Sequence, residues 1–450
     1  MTILLILFQI IAFADKAVLG LVAPSAIPEL GISAVQFGFI GSAFFFLYAI
    51  SSVIAGILAS RFSIKWIIFT MGVLWAVVQF PMLLGGGAAV LLLTRIVLGA
   101  GEGPATAMSL TSVHGWFSPK QRALPSNLVA VGSTLGPVIA APLLTLVIVQ
   151  FGWRWAFGAL GIIGLIWVLA WFVLASDGPF AGHGKKSEAL ADSESERADA
   201  VVENSNGAEL RTDDVDDQAQ ISVWRALFSL MFLAAVLGGA SNFFVQGFLT
   251  TWLPQYLAGV VGLTLPQVGI VTTFPWIFGA LVLLLLGFIG HRLMKRGINA
   301  HRAIAIPFGL STGIAGIAFL AVQSAPGKGA VALLTVAAGC SLVYPMAASA
   351  VAFAVGARQR PILMATLGGV ASMGAIVSPT LVGWLMTQAG YKAPAKGQPI
   401  PEGMVEAMAM GMHQAFTVTG IFLLVGGLAC ILFLRPERLG KKLQALNVGA

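Results

Sequence analysis

The sequence predicts an all-α membrane protein whose twelve transmembrane helices form two six-helix bundles. Of its 450 residues 58% are hydrophobic and only 10% charged, and the mean hydropathy is +0.92. A soluble chain of this length with a polar surface does not reach such values. Apolar runs of about 20 residues, the length needed to cross roughly 30 Å of hydrocarbon, recur twelve times between polar interruptions. One long polar insert, 176–222, divides them six and six.

The expected spans are 2–23, 36–58, 66–85, 89–112, 124–149, 155–175, 226–257, 266–290, 302–323, 329–355, 362–387 and 411–434. The insert is built of acids, Ala, Ser and Asn and cannot bury enough apolar surface to fold alone, so it reads as a disordered cytoplasmic linker. It joins an N-terminal bundle, 1–175, to a C-terminal bundle, 223–435, which a cytoplasmic tail, 436–450, follows. Lys and Arg accumulate on the cytoplasmic side of membrane proteins. With the linker cytoplasmic, Arg154, Lys328, Lys392 and Lys396 fall outside, Lys16 and Arg95 lie in the membrane, and the other 19 of 25 basic residues fall inside. Both termini are then cytoplasmic. The net charge of +7 is this topological bias and not a nucleic-acid signal.

The acids are distributed still more unevenly. Twelve of the 18 lie between Asp177 and Asp217, and none occurs between Asp217 and Glu402. Spans 7 to 11 thus offer no carboxylate, and ion coupling belongs to the first half. There, Asp15 and Lys16 interrupt the first apolar stretch, and Arg95 and Glu102 the fourth. Each costs about 2.5–3.5 kcal/mol at mid-bilayer even on a lenient scale, so such groups face a bundle interior or a wet path for ions or charged solutes. The interruption at Asp15 and the absence of a positive start also argue for a retained first helix rather than a cleaved signal.

Asp15 and Lys16 are helix neighbours about 100° apart, so each needs a partner from another span. Arg95 and Glu102 stand two turns apart on one face, about 10.5 Å in rise, which suits two stations along a cavity. Gly99 and Gly103 form a small-xxx-small pattern that lets another helix approach closely, and the expected neighbour is the first span, which would bring Asp15 or Lys16 near Arg95 and Glu102. A guanidinium is the better fork for a carboxylate, so Arg95 is the expected anchor for an anion. Lys16 is a second, less directional cation, and Glu102 and Asp15 are the expected proton carriers. A purely structural charge cluster is the alternative.

In the seventh span Asn242, Gln246 and Thr250 form one polar stripe ahead of Trp252-Leu253-Pro254-Gln255-Tyr256, read as cavity lining rather than interhelical glue. Ser341, Tyr344 and Ser372 are weaker candidates. Gly132-Ser133-Thr134-Leu135-Gly136-Pro137 reads as close packing with a kink, with Ser133 facing the cavity. Cys340 and Cys430 lack zinc-ligand spacing, and His114, His183, His291, His301 and His413 show no metal-like pattern. No cofactor is expected, and no nucleophile-base pair marks an enzyme.

Two loops occupy equivalent places in the halves: Gly56-Ile57-Leu58-Ala59-Ser60-Arg61-Phe62-Ser63-Ile64-Lys65 and Gly287-Phe288-Ile289-Gly290-His291-Arg292-Leu293-Met294-Lys295-Arg296-Gly297. Such repetition is typical of transporters, and both resemble the loop signature of the major facilitator superfamily, with Ser60 and His291 where Asp is usual. The run Arg95 to Pro104, then Trp116-Phe117-Ser118-Pro119 with Arg122, then Gly152-Trp153-Arg154-Trp155-Ala156-Phe157, together with Asp15-Lys16, is similar to the anion:cation symporter family. That family includes sugar-acid and aromatic-acid permeases and the vesicular glutamate and sialic acid transporters.

The resemblance implies a major facilitator fold working by alternating access, with the bacterial inner membrane as its setting. It also implies proton coupling at Asp15 and Glu102 and substrate contact at Lys16 and Arg95. Tyr48 matches the family's second-span tyrosine, and Pro254 its kinked seventh helix. The chain departs in carrying Lys16 where Arg is usual, Ser52 where a Gln often stands, and Ser133 where several relatives have a larger polar group.

The expected function is proton-driven uptake of an organic carboxylate across the lipid bilayer. Only four tyrosines against 29 phenylalanines, and few amides or hydroxyls on the expected cavity helices, lean towards a small or aromatic monocarboxylate. The alternatives are an exporter of organic anions or drugs exchanging for protons, and a carboxylate sensor that signals through the linker.

Overall fold

The computed structural model describes residues 1–59, 61–118, 121–179, 223–325, 327–354, 360–394, 398 and 401–437. Ser60, Pro119, Lys396, most of the expected linker and most of the tail lie outside the described residues. Within them, twelve helices are long and apolar enough to cross a membrane. They are α1 (Thr2–Leu30), α2 (Ala34–Ala59), α3 (Ile64–Leu83), α4 (Ala88–Trp116), α5 (Leu124–Phe151) and α6 (Arg154–Leu174) in the first half. In the second half they are α7 (Leu230–Thr251), α8 (Leu265–Lys295), α9 (His301–Ser324), α10 (Lys328–Ala352), α11 (Ile362–Gln388) and α12 (Glu402–Phe433). No strand forms among the described residues.

Every expected span is present, with shifted ends. The first runs to Leu30 because Pro24 and Pro28 are accommodated inside it, and it stops at Gly31, whose φ of 62° is the left-handed conformation that glycine adopts without penalty. The seventh is shorter than expected. It ends at Thr251, and after Trp252 a separate short helix, Leu253–Gly259, starts with Pro254 in its first turn. Proline cannot donate to the previous turn, so the helix restarts there.

Five spans are interrupted near their middles, one of them α11 at Ser372. The break in α2 covers Phe44–Leu47, that in α4 Gly103 and Pro104, that in α8 Thr272 and Thr273, and that in α10 Leu342 and Val343. The second and fourth spans of each half are thus discontinuous in the same way. Internal repeats in transporters have this form, and exposed backbone is tolerated at membrane depth only where it is buried in protein or lines a cavity.

The core follows the two-bundle plan. At the end remote from both termini one buried cluster unites the halves, with Val22, Phe37, Phe157, Trp252, Phe319 and Phe416 among its members. Towards the termini, one cluster (Phe8, Trp75, Trp167, Trp171) belongs to the first half except for Ala375, and another (Phe232, Phe308, Val351, Leu367) belongs wholly to the second.

Glycines hold the remote end shut. A Cβ on Gly20 would stand 2.6 Å from the Thr250 carbonyl, one on Gly38 would strike the Pro379 carbonyl, and one on Gly383 the Ala34 carbonyl. Trp252 Nε1 donates to Pro379 O at 2.8 Å within the second half, and across the boundary the Ser42 and Thr380 hydroxyls share a 2.7 Å hydrogen bond. α1 thereby meets α7, and α2 meets α11, at this end; α2 and α11 also approach towards the termini, where a Cβ on Gly369 would stand 3.3 Å from Ala49 Cβ.

Inside the first bundle Gly99 and Gly103 admit a neighbour, as their spacing predicts. That neighbour is the break of α2 rather than the expected first span, because a Cβ at either would run into the carbonyl of Phe44 or Tyr48. Gly99→Val is expected to destabilise the protein by about 1–3 kcal/mol, the usual cost of overpacking. Gly56→Val, where a Cβ meets nothing within 4 Å, is the matched control. Thermal unfolding in detergent should separate the two, and equal melting would refute the packing assignment.

Candidate functional site

The four membrane ionisable groups converge inside the first bundle. Asp15 and Arg95 are 1% exposed, Lys16 7% and Glu102 0%. Lys16 Nζ lies 3.8 Å from Glu102 Oε2, an ion pair between α1 and α4. Asp15, pointing the other way from the same helix, accepts a 2.8 Å hydrogen bond from Gln79 Nε2 of α3. Arg95 donates through Nη1 to the backbone carbonyl of Asp15 at 3.2 Å and stacks 5.3 Å from the Phe157 ring centre. Its Nε and Nη2 are buried without partners, as are both Glu102 carboxylate oxygens apart from the ion pair. Adjacent residues on one helix thus find separate partners, as their angular separation requires.

A cavity of about 370 Å³ lies between the bundles, on the terminal side of the glycine contacts. From the first half it is lined by Lys16, Tyr48, Thr106, Ser133 and Thr134, and from the second by Asn242, Gln246, Trp276, Ser341 and Tyr344. Among the described residues Lys16 is its only charged lining residue. The ammonium sits among aromatic rings, 3.9 Å from the Phe13 centre and 5.0 Å from that of Tyr48, a setting that attracts a cation.

Arg95 is set apart from this cavity. It borders a separate void of about 10 Å³ with Lys16, Gly41, Thr250 and Thr251, immediately beneath the closed end. That volume is about the minimum for one water. The polar stripe of α7 divides accordingly. Asn242 and Gln246 face the large cavity, whereas Thr250 faces the small void and bonds back to Gln246 O at 3.0 Å. Asn242 donates to Gly238 O and to Thr312 Oγ1, and leaves its own Oδ1 buried and unpaired. Ser133 reaches the cavity with its hydroxyl turned back to Ala130 O at 2.6 Å. Ser372 is buried, bonded to Gly369 O, and outside the cavity.

Several site residues are absent from the sequence reading. Thr106 follows Glu102 by one helical turn, so it shares a face with a residue already singled out. It accepts a 3.2 Å hydrogen bond from Gln9, which is itself fully buried. Gln79 and Gln9 are isolated amides on apolar helices, and that isolation is the signal that marks them. With Thr106, Thr134 and Trp276, the cavity wall is more polar than α7 and α10 alone lead one to expect. No group of three His, Cys, Asp or Glu able to hold a metal ion occurs among the described residues.

The family model of the Major Facilitator Superfamily matches residues 5–352. The chain belongs to the major facilitator superfamily. It is an integral multi-pass membrane transport protein rather than an enzyme, and its relatives are of the anion:cation symporter type. It is 28% identical to the hexuronate transporter of Bacillus subtilis (strain 168), over 96% of this chain and 93% of that one. It is 27% identical to a probable sulfoacetate transporter of Cupriavidus necator, over 96% and 92%. A bacterial homologue of the human lysosomal transporter Spinster, solved in an inward-facing unoccupied conformation, shares the fold with a TM-score of 0.76 at 20% identity, over 98% of this chain and 97% of that one.

The buried pair makes a prediction independent of any substrate. Glu102→Gln leaves the Lys16 ammonium buried without its counter-charge, and removal of one partner of such a pair costs about 3–5 kcal/mol. The single variant should melt well below the parent. The double variant Lys16→Met/Glu102→Gln should recover most of the loss, and a double variant melting as low as the single one would contradict the pairing.

Proposed function

We propose that this protein is a proton-coupled symporter that brings an organic monocarboxylate into the cell by alternating access, with both termini cytoplasmic in a bacterial inner membrane. The observation that carries the reading is that Lys16, the single charged group lining the cavity among the described residues, is held by Glu102 at 3.8 Å. A carboxylate entering the cavity and the Glu102 carboxylate compete for one ammonium. A proton on Glu102 frees Lys16, the substrate carboxylate takes its place, and charge in the low-dielectric interior stays balanced.

Arg95 serves the opposite face. It borders the void under the glycine contacts, so separation of α1 from α7 and of α2 from α11 would present its unpaired Nε and Nη2 to a substrate arriving from outside. With the termini inside, the closed remote end and the cavity on the terminal side correspond to an inward-facing carrier. Substrate would then pass from Arg95 to Lys16 as the bundles rock, while Asn242, Gln246 and Tyr344 on the uncharged second half hold its body. Asp15 is the second proton carrier.

One cation in the cavity suits one carboxylate. The aromatic wall of Phe13, Tyr48, Trp276 and Tyr344 favours a small or aromatic body. A hydroxylated sugar acid is the second reading, supported by Thr106, Thr134 and Gln246 on the wall and by the names of the hexuronate, L-galactonate and D-galactonate transporters among the relatives.

Uptake into proteoliposomes of radiolabelled acetate, benzoate, glucuronate and galactonate, with and without an inward proton gradient, tests both points. Gradient-driven accumulation of one of them is expected, and binding without flux under every gradient would favour a sensor. Glu102→Gln should keep counterflow and lose accumulation, whereas Arg95→Ala should lose binding by at least tenfold, as removal of a charged hydrogen-bonding group predicts. Normal accumulation by Glu102→Gln would refute the coupling assignment.

A further inference from the structure

Gln79 is 1% exposed and sits in α3, a helix otherwise fit to cross a membrane. An amide so placed needs partners. Its Nε2 has one, Asp15 Oδ1 at 2.8 Å, and its Oε1 is buried with none. Gln79 is also the only side chain hydrogen-bonded to the Asp15 carboxyl among the described residues. The charges facing Asp15 are Lys16 beside it and Arg95 and Glu102 on α4. Arg95 spends its hydrogen bond on the Asp15 backbone carbonyl.

We propose that Gln79 is a positioning residue that serves Asp15 in both of its protonation states. It donates through Nε2 when Asp15 is a carboxylate and, after the amide turns over, accepts through Oε1 when Asp15 carries a proton. The inference rests on the reading of Asp15 as a proton carrier. A carboxylate only accepts and a carboxylic acid also donates, so a fixed donor would satisfy one state and oppose the other. The oxygen and nitrogen ends of an amide are nearly equal in size, so a half-turn about the last side-chain torsion exchanges acceptor for donor inside a packed core without added volume. A serine reaching the same carboxyl would do so with one atom and lack the second arm. The unpaired Oε1 is the acceptor held ready for the protonated state.

The test needs no substrate. Infrared spectroscopy of the full chain in liposomes, titrated with pH, follows the stretching band of protonated carboxyl groups. Asp15→Asn should delete one component of that band. In Gln79→Leu the same component should move to higher frequency, because the Asp15 carboxyl has lost its acceptor. Gln79→Met, a closer match in shape, should do the same, and neither change should appear in the Asp15→Asn background. A band unchanged by Asp15→Asn removes the proton-carrier reading and this inference with it. A band deleted by Asp15→Asn but unmoved by Gln79→Leu and Gln79→Met overturns the inference alone. Failure of both variants to yield folded protein makes the amide a structural brace and likewise overturns it.

Discussion

The ion pair between Lys16 and Glu102 is the interaction around which the first bundle is arranged. Neither charge is tolerable alone at membrane depth, so α1 and α4 must meet at one height. That meeting brings the cavity-facing ammonium against the break of α4 at Gly103 and Pro104. Room for it comes from Gly99 and Gly103, which take the broken middle of α2 against their backbone and deliver Tyr48 beside Lys16. Packing, charge and cavity shape are therefore one constraint. Any event that neutralises Glu102 loosens a contact between two helices as well as releasing the Lys16 ammonium.

The halves divide the labour. All four membrane charges lie in α1 and α4, and the second half supplies neutral groups alone on its side of the cavity. The membrane charges thus reside in one bundle, and the other lines the cavity with neutral groups. At the closed end Gly20, Gly38 and Gly383 bring backbone against backbone across the bundle boundary, beside side-chain contacts such as Phe37 against Trp252. A shared apolar core on that side and separate cores towards the termini make the remote end the tighter one in this state.

Hydropathy alone located every membrane span, because an apolar stretch of about 20 residues has few alternatives to a helix in lipid. The charged residues stood out for the same reason, since their cost in that setting demands a use. The pairing was less legible. Angular position showed that Asp15 and Lys16 point apart, but not that Glu102 takes Lys16 while an amide takes Asp15. That choice depends on which of several spans packs against each face of α1. Gln79 and Gln9 carry no formal charge and are marked more faintly, although a lone amide in an apolar helix is a similar signal at lower intensity. The helix breaks had partial signatures in Pro104, Pro275 and Pro345. The α2 break has none, because it is imposed by tertiary packing against Gly99 and Gly103. Separation of Arg95 from the large cavity depends on how the spans pack against one another, which spacing along a helix does not encode.

The most direct test of the account is the proton balance of substrate binding. Purified protein in weakly buffered detergent solution with a pH indicator should take up protons from the medium when the transported carboxylate is added, as Glu102 yields Lys16 to it. The Glu102→Gln variant should bind the same carboxylate with that uptake lost. Equal proton uptake by the parent and by Glu102→Gln, or none by the parent, would contradict the exchange of a proton for an anion at Lys16.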